Sequence, residues 1–362
     1  MNGWTDLLVS LIASFLLLGV IVRLAPRMGW LDHPSERKTH AQPTPHLGGI
    51  GMLGGFMLAA TVLGSGWTPS IWVGLVLLTL LGHVDDFRPM KAVLRLLIQI
   101  GIVGTVVMLE GLEIRELRGF FGPGSVYLGA AGLPFTVLCV LALVNALNLL
   151  DGLDGLVGLM SLVALASIGW IGHLFGLDPG PELTFLAGCL VAFLIYNLRY
   201  PGHPRADLFM GDGGAYFLGF AIAMMLLNLE ARGPGVPSAV FAWPVLVPVA
   251  LMASTFIQRL IRGIHPMQAD RLHLHHVLID QRRWSVDRVV MVYAGLVLLL
   301  GILGPYLAHR GWPLSASWSR LVMVLPLFLL LILGMLGSRC QGCRKDCRFC
   351  DKGPPKGRGD GP

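Results

Sequence analysis

Charge is scarce in this sequence. Only 13% of its 362 residues are Asp, Glu, Lys or Arg, while 54% are hydrophobic; about a quarter of a soluble domain is charged. Long polar segments are missing too, which excludes a separate water-soluble domain. No convincing internal repeat is present, and secondary transporters usually show one. Cysteine is almost absent before the tail: Cys139 and Cys189 stand inside apolar runs and read as packing residues. The leading segment MNGWTD has no Lys or Arg. A secretory signal peptide begins with positive charge, so the first apolar run is expected to be a membrane span.

What the sequence does contain is apolar runs of the length that crosses a bilayer. Eleven occur, at about 7–24, 47–64, 70–84, 92–109, 133–150, 156–174, 183–198, 212–229, 239–258, 288–308 and 319–337. Backbone groups in hydrocarbon must be satisfied internally, so these runs predict helices. The expected fold is an all-α polytopic membrane protein of about eleven transmembrane helices.

Basic residues orient it. With Arg23 and Arg27 after the first span placed inside and the loops alternated, inside segments hold 22 of the 27 Lys and Arg. This bias puts the N-terminus outside and the C-terminus in the cytoplasm. The basic residues are spread over several loops, which argues against nucleic-acid binding. The outside connections are plain, with a short hairpin expected around GPGS in the longest of them. The inside loops carry nearly all the Asp, His and Asn of chemical interest, which suggests one composite site on that face.

Four constellations lie there. Asp85 and Asp86 are adjacent in GHVDDFRPMK. Neighbouring carboxylates repel unless a cation is close. The pair suits a metal ion or a general base; the plainer reading is a solvated helix cap. NALNLLDGLDGL spaces Asn145, Asn148, Asp151 and Asp154 three apart. The first three would line one side of a helix end, with Gly152 stopping the helix and Gly155 freeing the turn. Interhelical hydrogen bonding explains one membrane Asn, but not two Asn and two Asp in a row. In FMGDGGAYFLGF, Asp212 opens a span. It is either a helix cap or an oxygen ligand for Mg²⁺, which takes one or two carboxylates plus phosphate oxygens and water. QADRLHLHH gathers Arg271, His273, His275 and His276. Three imidazoles can hold zinc, but adjacent residues do not share a helix face. Diphosphate binding and proton handling is the preferred reading.

The tail is a separate matter. Cys340, Cys343, Cys347 and Cys350 form two CxxC pairs. They suit a small Zn or Fe–S site, palmitoylation beside the last span, or an unliganded basic tail. Residues 1–337 are expected to form the membrane domain and 338–362 a Cys-rich basic tail.

Together, DD at Asp85–Asp86, NALNLLDGLDGL, FMGDGG and DRLHLHH resemble the polyprenyl-phosphate N-acetylhexosamine-1-phosphate transferases, the family that holds WecA and MraY. HPSERKTH and PTPHLGG resemble its first inside loop. The resemblance implies ten or eleven helices in the inner membrane with a cytoplasmic site. It implies transfer of a sugar 1-phosphate from a UDP-N-acetylhexosamine to an undecaprenyl-type lipid phosphate, releasing UMP, with Mg²⁺ (or Mn²⁺) as cofactor. Carried over, Asp212 would be the main Mg²⁺ ligand with Asn148 near it, and Asp85 or Asp86 would position or deprotonate the lipid phosphate. Asn145 would share the site wall, Asp151 and Asp154 would hold the uridine end, Phe209 would stack on uracil, and Asn197 would belong to the nucleotide pocket. Lys38, His40, Arg271, His273, His275 and His276 would meet the phosphates. A homodimer is left open. Two departures stand out: Ala215 replaces a frequent Ser, and the histidines read HxHH. The latter resembles the WecA branch, which uses UDP-GlcNAc or related sugars, more than the UDP-MurNAc-pentapeptide branch of peptidoglycan synthesis. A secondary transporter, or a membrane metal sensor built on the Cys tail, would be the alternatives from other classes.

Overall fold

The computed structural model describes residues 3–32, 42–120, 124–261, 263, 274–280 and 282–311. Lys38, His40, Arg271, His273, the four tail cysteines and the eleventh apolar run lie outside these residues. The described helices are α1 (Gly3–Met28), α2 (Gly48–Leu63), α3 (Pro69–Phe87), α4 (Ala92–Glu110), α5 (Gly132–Leu150), α6 (Leu156–Phe175), α7 (Glu182–Asn197), α8 (Gly211–Arg232), α9 (Leu246–Ile261), α10 (Leu274–Asp280) and α11 (Val286–His309). Each of the first ten apolar runs is a helix. Among the described residues, eight helical segments are long and apolar enough to cross a membrane. The protein is an all-α, multi-pass membrane protein. The shorter α2 and α7 have 16 residues each. At 1.5 Å per residue they span about 24 Å, a little less than a hydrocarbon core.

The helix ends follow local chemistry. Pro69 opens α3, where a missing N–H costs nothing. The run expected at 70–84 continues to Phe87, because His83, Asp85 and Asp86 are helical despite their polarity. The span before the histidines is two pieces: a 3₁₀ segment, Ser238–Val245, leads into α9 at Pro244, which has no N–H to continue the ladder. The expected hairpin is present, with β3 (Glu116–Arg118) antiparallel to β4 (Ser125–Tyr127). A second small pair joins β1 (Leu31–Asp32) to β2 (Thr44–Pro45).

The core centres on α8. Its residues from Gly213 to Leu227 are all buried, against α3, α5 and α2. Three backbones meet at its first turn. A Cβ on Gly82 of α3 would run into the backbone of Gly213, and one on Gly49 of α2 into the backbone of Gly214. One turn and a half further along, a Cβ on Gly219 would lie 2.6 Å from Cα of Val144 on α5. These are the close approaches that small residues allow between membrane helices. Because α3 and α5 end where α8 begins, the contacts bring their polar ends together at one end of the bundle.

Two glycine substitutions test this packing. Gly82→Ala is expected to destabilise the protein by about 1–3 kcal/mol, as overpacking does, and to lower its thermal unfolding temperature in detergent. Gly101→Ala on α4, where a Cβ would meet nothing within 4 Å, should be neutral or slightly stabilising.

Candidate active site

The first element of the site is built by α3 and α8. Gly211 has a φ of +75°, and a Cβ there would lie 2.8 Å from Oδ2 of Asp86. A side chain would therefore be strained and obstructed, so glycine is required. The turn directs the backbone N–H of Asp212 to Oδ1 of Asp86, at 3.2 Å. The neighbouring segment is held by three backbone bonds: Phe209 N to Pro45 O (2.7 Å), Gly48 N to Phe209 O (3.0 Å) and Gly49 N to Met210 O (3.0 Å).

Asp85 is buried. It accepts from the backbone N–H of Met90 at 2.6 Å and from Arg95. Arg95 also approaches Oδ2 of Asp212, at 3.8 Å. The two adjacent acids thus have different surroundings: Asp85 is bound to a cation, while Asp86 faces α8. Arg95 entered the sequence reading only as an inside charge. It stands ten residues beyond Asp85, past the break at Pro89, and no local spacing signals their contact. His83 was also missed, although three residues before Asp86 is a helical-face spacing that could have shown it.

The row from Asn145 to Asp154 divides. Asn145 Nδ2 donates to Gln99 Oε1 on α4 and to Leu141 O, both at 2.9 Å. This is the interhelical bonding that was the plainer reading of one Asn. Asn148 directs its buried amide at the Asp212 carboxylate. Asp151 caps the end of α5. Asp154 accepts from Arg199 Nε at 2.8 Å and from the N–H of Ala206 at 3.3 Å. Gly155 has a φ of +80°, and a Cβ there would collide with Leu198. Asn197 is buried and ties two loops together: its Oδ1 accepts from Gly155 N (2.7 Å) and its Nδ2 donates to Leu208 O (2.8 Å). Phe209 is half-buried beside these loops.

The histidines complete the cluster from α10. A Cβ on Gly152 would lie 3.6 Å from Nε2 of His275 and 4.0 Å from Nε2 of His276. Adjacent residues on a helix diverge, yet both rings reach this turn, with centroids 4.3 Å apart. They lie in the first turn of a seven-residue helix, and their side chains are long enough to converge.

Electrostatics sets the character of the site. Burial, then the carboxylates of Asp212, Asp86 and Asp154, push Asp151 well above the usual carboxylate range. Asp154 is paired with Arg199, and among the described residues Asp85 and Asp212 share Arg95, while Asp86 and Asp151 have no Lys or Arg partner. Oδ2 of Asp86 is buried without a hydrogen bond. Such a set is short of positive charge, and a divalent cation would supply it. Among the described residues no three His, Cys, Asp or Glu form a cage for a metal ion.

Comparison with known proteins points the same way. The sequence model of Glycosyl transferase family 4 matches residues 68–230, a stretch that holds every acid named above. The chain is 28% identical over 334 residues to the undecaprenyl-phosphate alpha-N-acetylglucosaminyl 1-phosphate transferase of Yersinia pestis, covering 90% of this chain and 89% of that one. It is 29% identical to proteins of the same description from Pasteurella multocida, over 87% of this chain and 90% of the relative, and from Escherichia coli K12, over 90% and 89%.

Two measurements separate ligand-binding from structural polar groups. Asn197→Ala leaves a buried N–H and C=O unpaired, at about 1–3 kcal/mol each, so stability and activity should fall together. Asp151→Asn should do the opposite. A carboxyl raised in the folded state loses stability as pH rises from its unfolded value, about 3.9, through its folded one. In chelator at pH 8 this variant should unfold at a higher temperature than wild type, and the gain should vanish near pH 4.

Proposed function

We propose that this chain, which the model of Glycosyl transferase family 4 matches over residues 68–230, transfers N-acetylglucosamine 1-phosphate from UDP-GlcNAc to undecaprenyl-type polyprenyl phosphate, releasing UMP, as the names of its relatives suggest. One observation carries the reading: Asp85, Asp86, Asn148, Asp151 and Asp212 come from three helices to one end of the bundle, with His275 and His276 against the same turn. A transporter would be expected to hold its ionisable groups near the midplane. Here they stand at helix ends.

In the transfer, an oxygen of the lipid phosphate attacks the β-phosphorus of the UDP-sugar. The bond from that phosphorus to the bridging oxygen breaks, UMP leaves with the electron pair, and a lipid diphosphate sugar forms. Catalysis of this kind is mostly positioning and charge neutralisation. Asp212, with Asn148 beside it, would hold Mg²⁺, which when bound neutralises charge on the diphosphate. Asp86 would orient the lipid phosphate. Its second pKa is near 6, so it arrives largely as a dianion at pH 7 and a strong base is not required. Arg95 holds Asp85 and offers a fixed positive charge near Asp212. His275 and His276 would meet the diphosphate, and Asp151 and Asp154, with Phe209, the uridine end. The Lys and Arg bias of the loops supports a cytoplasmic location for this end, and the family resemblance supports the inner membrane, where product would feed cell-envelope polysaccharide synthesis.

Purified protein with undecaprenyl phosphate, Mg²⁺ and a panel of UDP-sugars tests the reading. UMP release should be fastest with UDP-GlcNAc, absent in chelator, and reduced by about 10³-fold or more in Asp212→Asn, the scale of losing a main electrostatic group. Release only with UDP-MurNAc-pentapeptide would transfer the protein to the peptidoglycan branch. No release with any sugar would reject the enzyme reading.

A further inference from the structure

His83 is buried on α3, one turn before Asp86. Its Nδ1 lies 3.5 Å from Oδ2 of Asp86. Three buried atoms here have no hydrogen bond: both ring nitrogens of His83 and this same Oδ2. Buried polar groups are rarely left so. The ring also lies flat on α8: a Cβ on Gly213 would be 2.6 Å from its Cδ2 and 2.7 Å from its Nε2. Glycine at 213 is therefore what admits an imidazole beneath the carboxylates. Asp86 is already held by one oxygen, Oδ1, through the backbone N–H of Asp212. Its other oxygen lies between Gly211 and His83.

We propose that His83 is a positioning residue whose Nδ1–H holds Asp86 by the oxygen that the Asp212 backbone leaves free. A shift of about half an ångström brings the pair to ordinary hydrogen-bond length. The tautomer follows from the surroundings. Nε2 packs beside Gly213 without a hydrogen-bond partner, whereas Nδ1 has the Asp86 oxygen beside it, so the proton belongs on Nδ1. Held at both oxygens, the Asp86 carboxylate cannot rotate about its terminal bond, so it presents one fixed face to an incoming phosphate. His83 touches no substrate and acts only through Asp86, as residues behind a metal or catalytic carboxylate commonly do. The inference rests on the transfer reading for its functional consequence, but the hydrogen bond itself does not.

Three variants test it. His83→Phe keeps the ring volume and removes the donor. His83→Asn loses volume but places an amide N–H where Nδ1 stood. His83→Gln reaches the Nε2 position instead, and stands in if the Phe variant does not fold. Positioning predicts that Phe and Gln lower kcat by about 10–100-fold with little change in either KM, and that Asn retains most of the turnover. A packing role predicts the reverse order. Full turnover in His83→Phe, or equal losses in Phe and Asn, would overturn the proposal. A readout without turnover is the ¹H–¹⁵N spectrum of histidine-labelled protein. A downfield Nδ1–H signal that is absent in His83→Asn and moves upfield in Asp86→Asn is expected; no such signal would also overturn it. If the signal is present but wild type releases no UMP with any UDP-sugar, the transfer reading fails and the hydrogen bond stands.

Discussion

Two helix backbones can touch only where neither carries a side chain between them, and this protein brings three into contact at the start of α8. Gly82 meets Gly213, and Gly49 meets Gly214. Everything polar at that end of the bundle depends on these contacts. A methyl group at either crossing would move α3 or α2 away by more than the length of a hydrogen bond can absorb. The Asp212 N–H would then lose Asp86, and Arg95 would lose its reach to Asp212. The glycines do no chemistry themselves. They set the distance at which the chemistry is possible.

The second constraint is charge. Acids gathered in a poorly solvated place repel one another, and among the described residues Arg95 is the cation that reaches both Asp85 and Asp212. Asp85, Asp86 and Asp154 are each held differently. Asp85 takes a backbone N–H and a guanidinium, Asp154 takes Arg199, and Asp86 takes the Asp212 N–H. What stays unmatched is an oxygen of Asp86. An under-satisfied polar network is costly in a structural role, but it is what a site for a cation and phosphates requires before they arrive.

Sequence reasoning read individual residues with uneven success, for identifiable reasons. Asp85, Asp86, Asp151 and Asp212 stood out because carboxylates are conspicuous in apolar surroundings, and they do meet. The spacing suggested that Asn145, Asn148 and Asp151 line one side of a helix end and that Asp154 joins them in one wall. The fold separates them, because Asn145 lies a turn deeper, within reach of Gln99, while the chain leaves the helix at Asp151. Asn197 was recognised by motif as part of a nucleotide pocket; the structure shows it bonding the two loops that border the cluster. Arg95 and His83 lacked any motif of their own.

By itself, the sequence determined the class of the protein: apolar length demands helices, the bias of Lys and Arg orders the loops, and the polar motifs fall at the ends of spans. Those are local properties, legible one segment at a time, because a helix in hydrocarbon satisfies its own backbone and needs no partner to form. Only the tertiary structure decided which polar side chains share a space. That depends on where helices cross, and crossing is governed by side-chain volume at positions far apart in the chain, such as Gly82 against Gly213. A glycine in a span reads the same whether it meets open space, as Gly101 does, or another backbone; the difference exists only once the helices are packed.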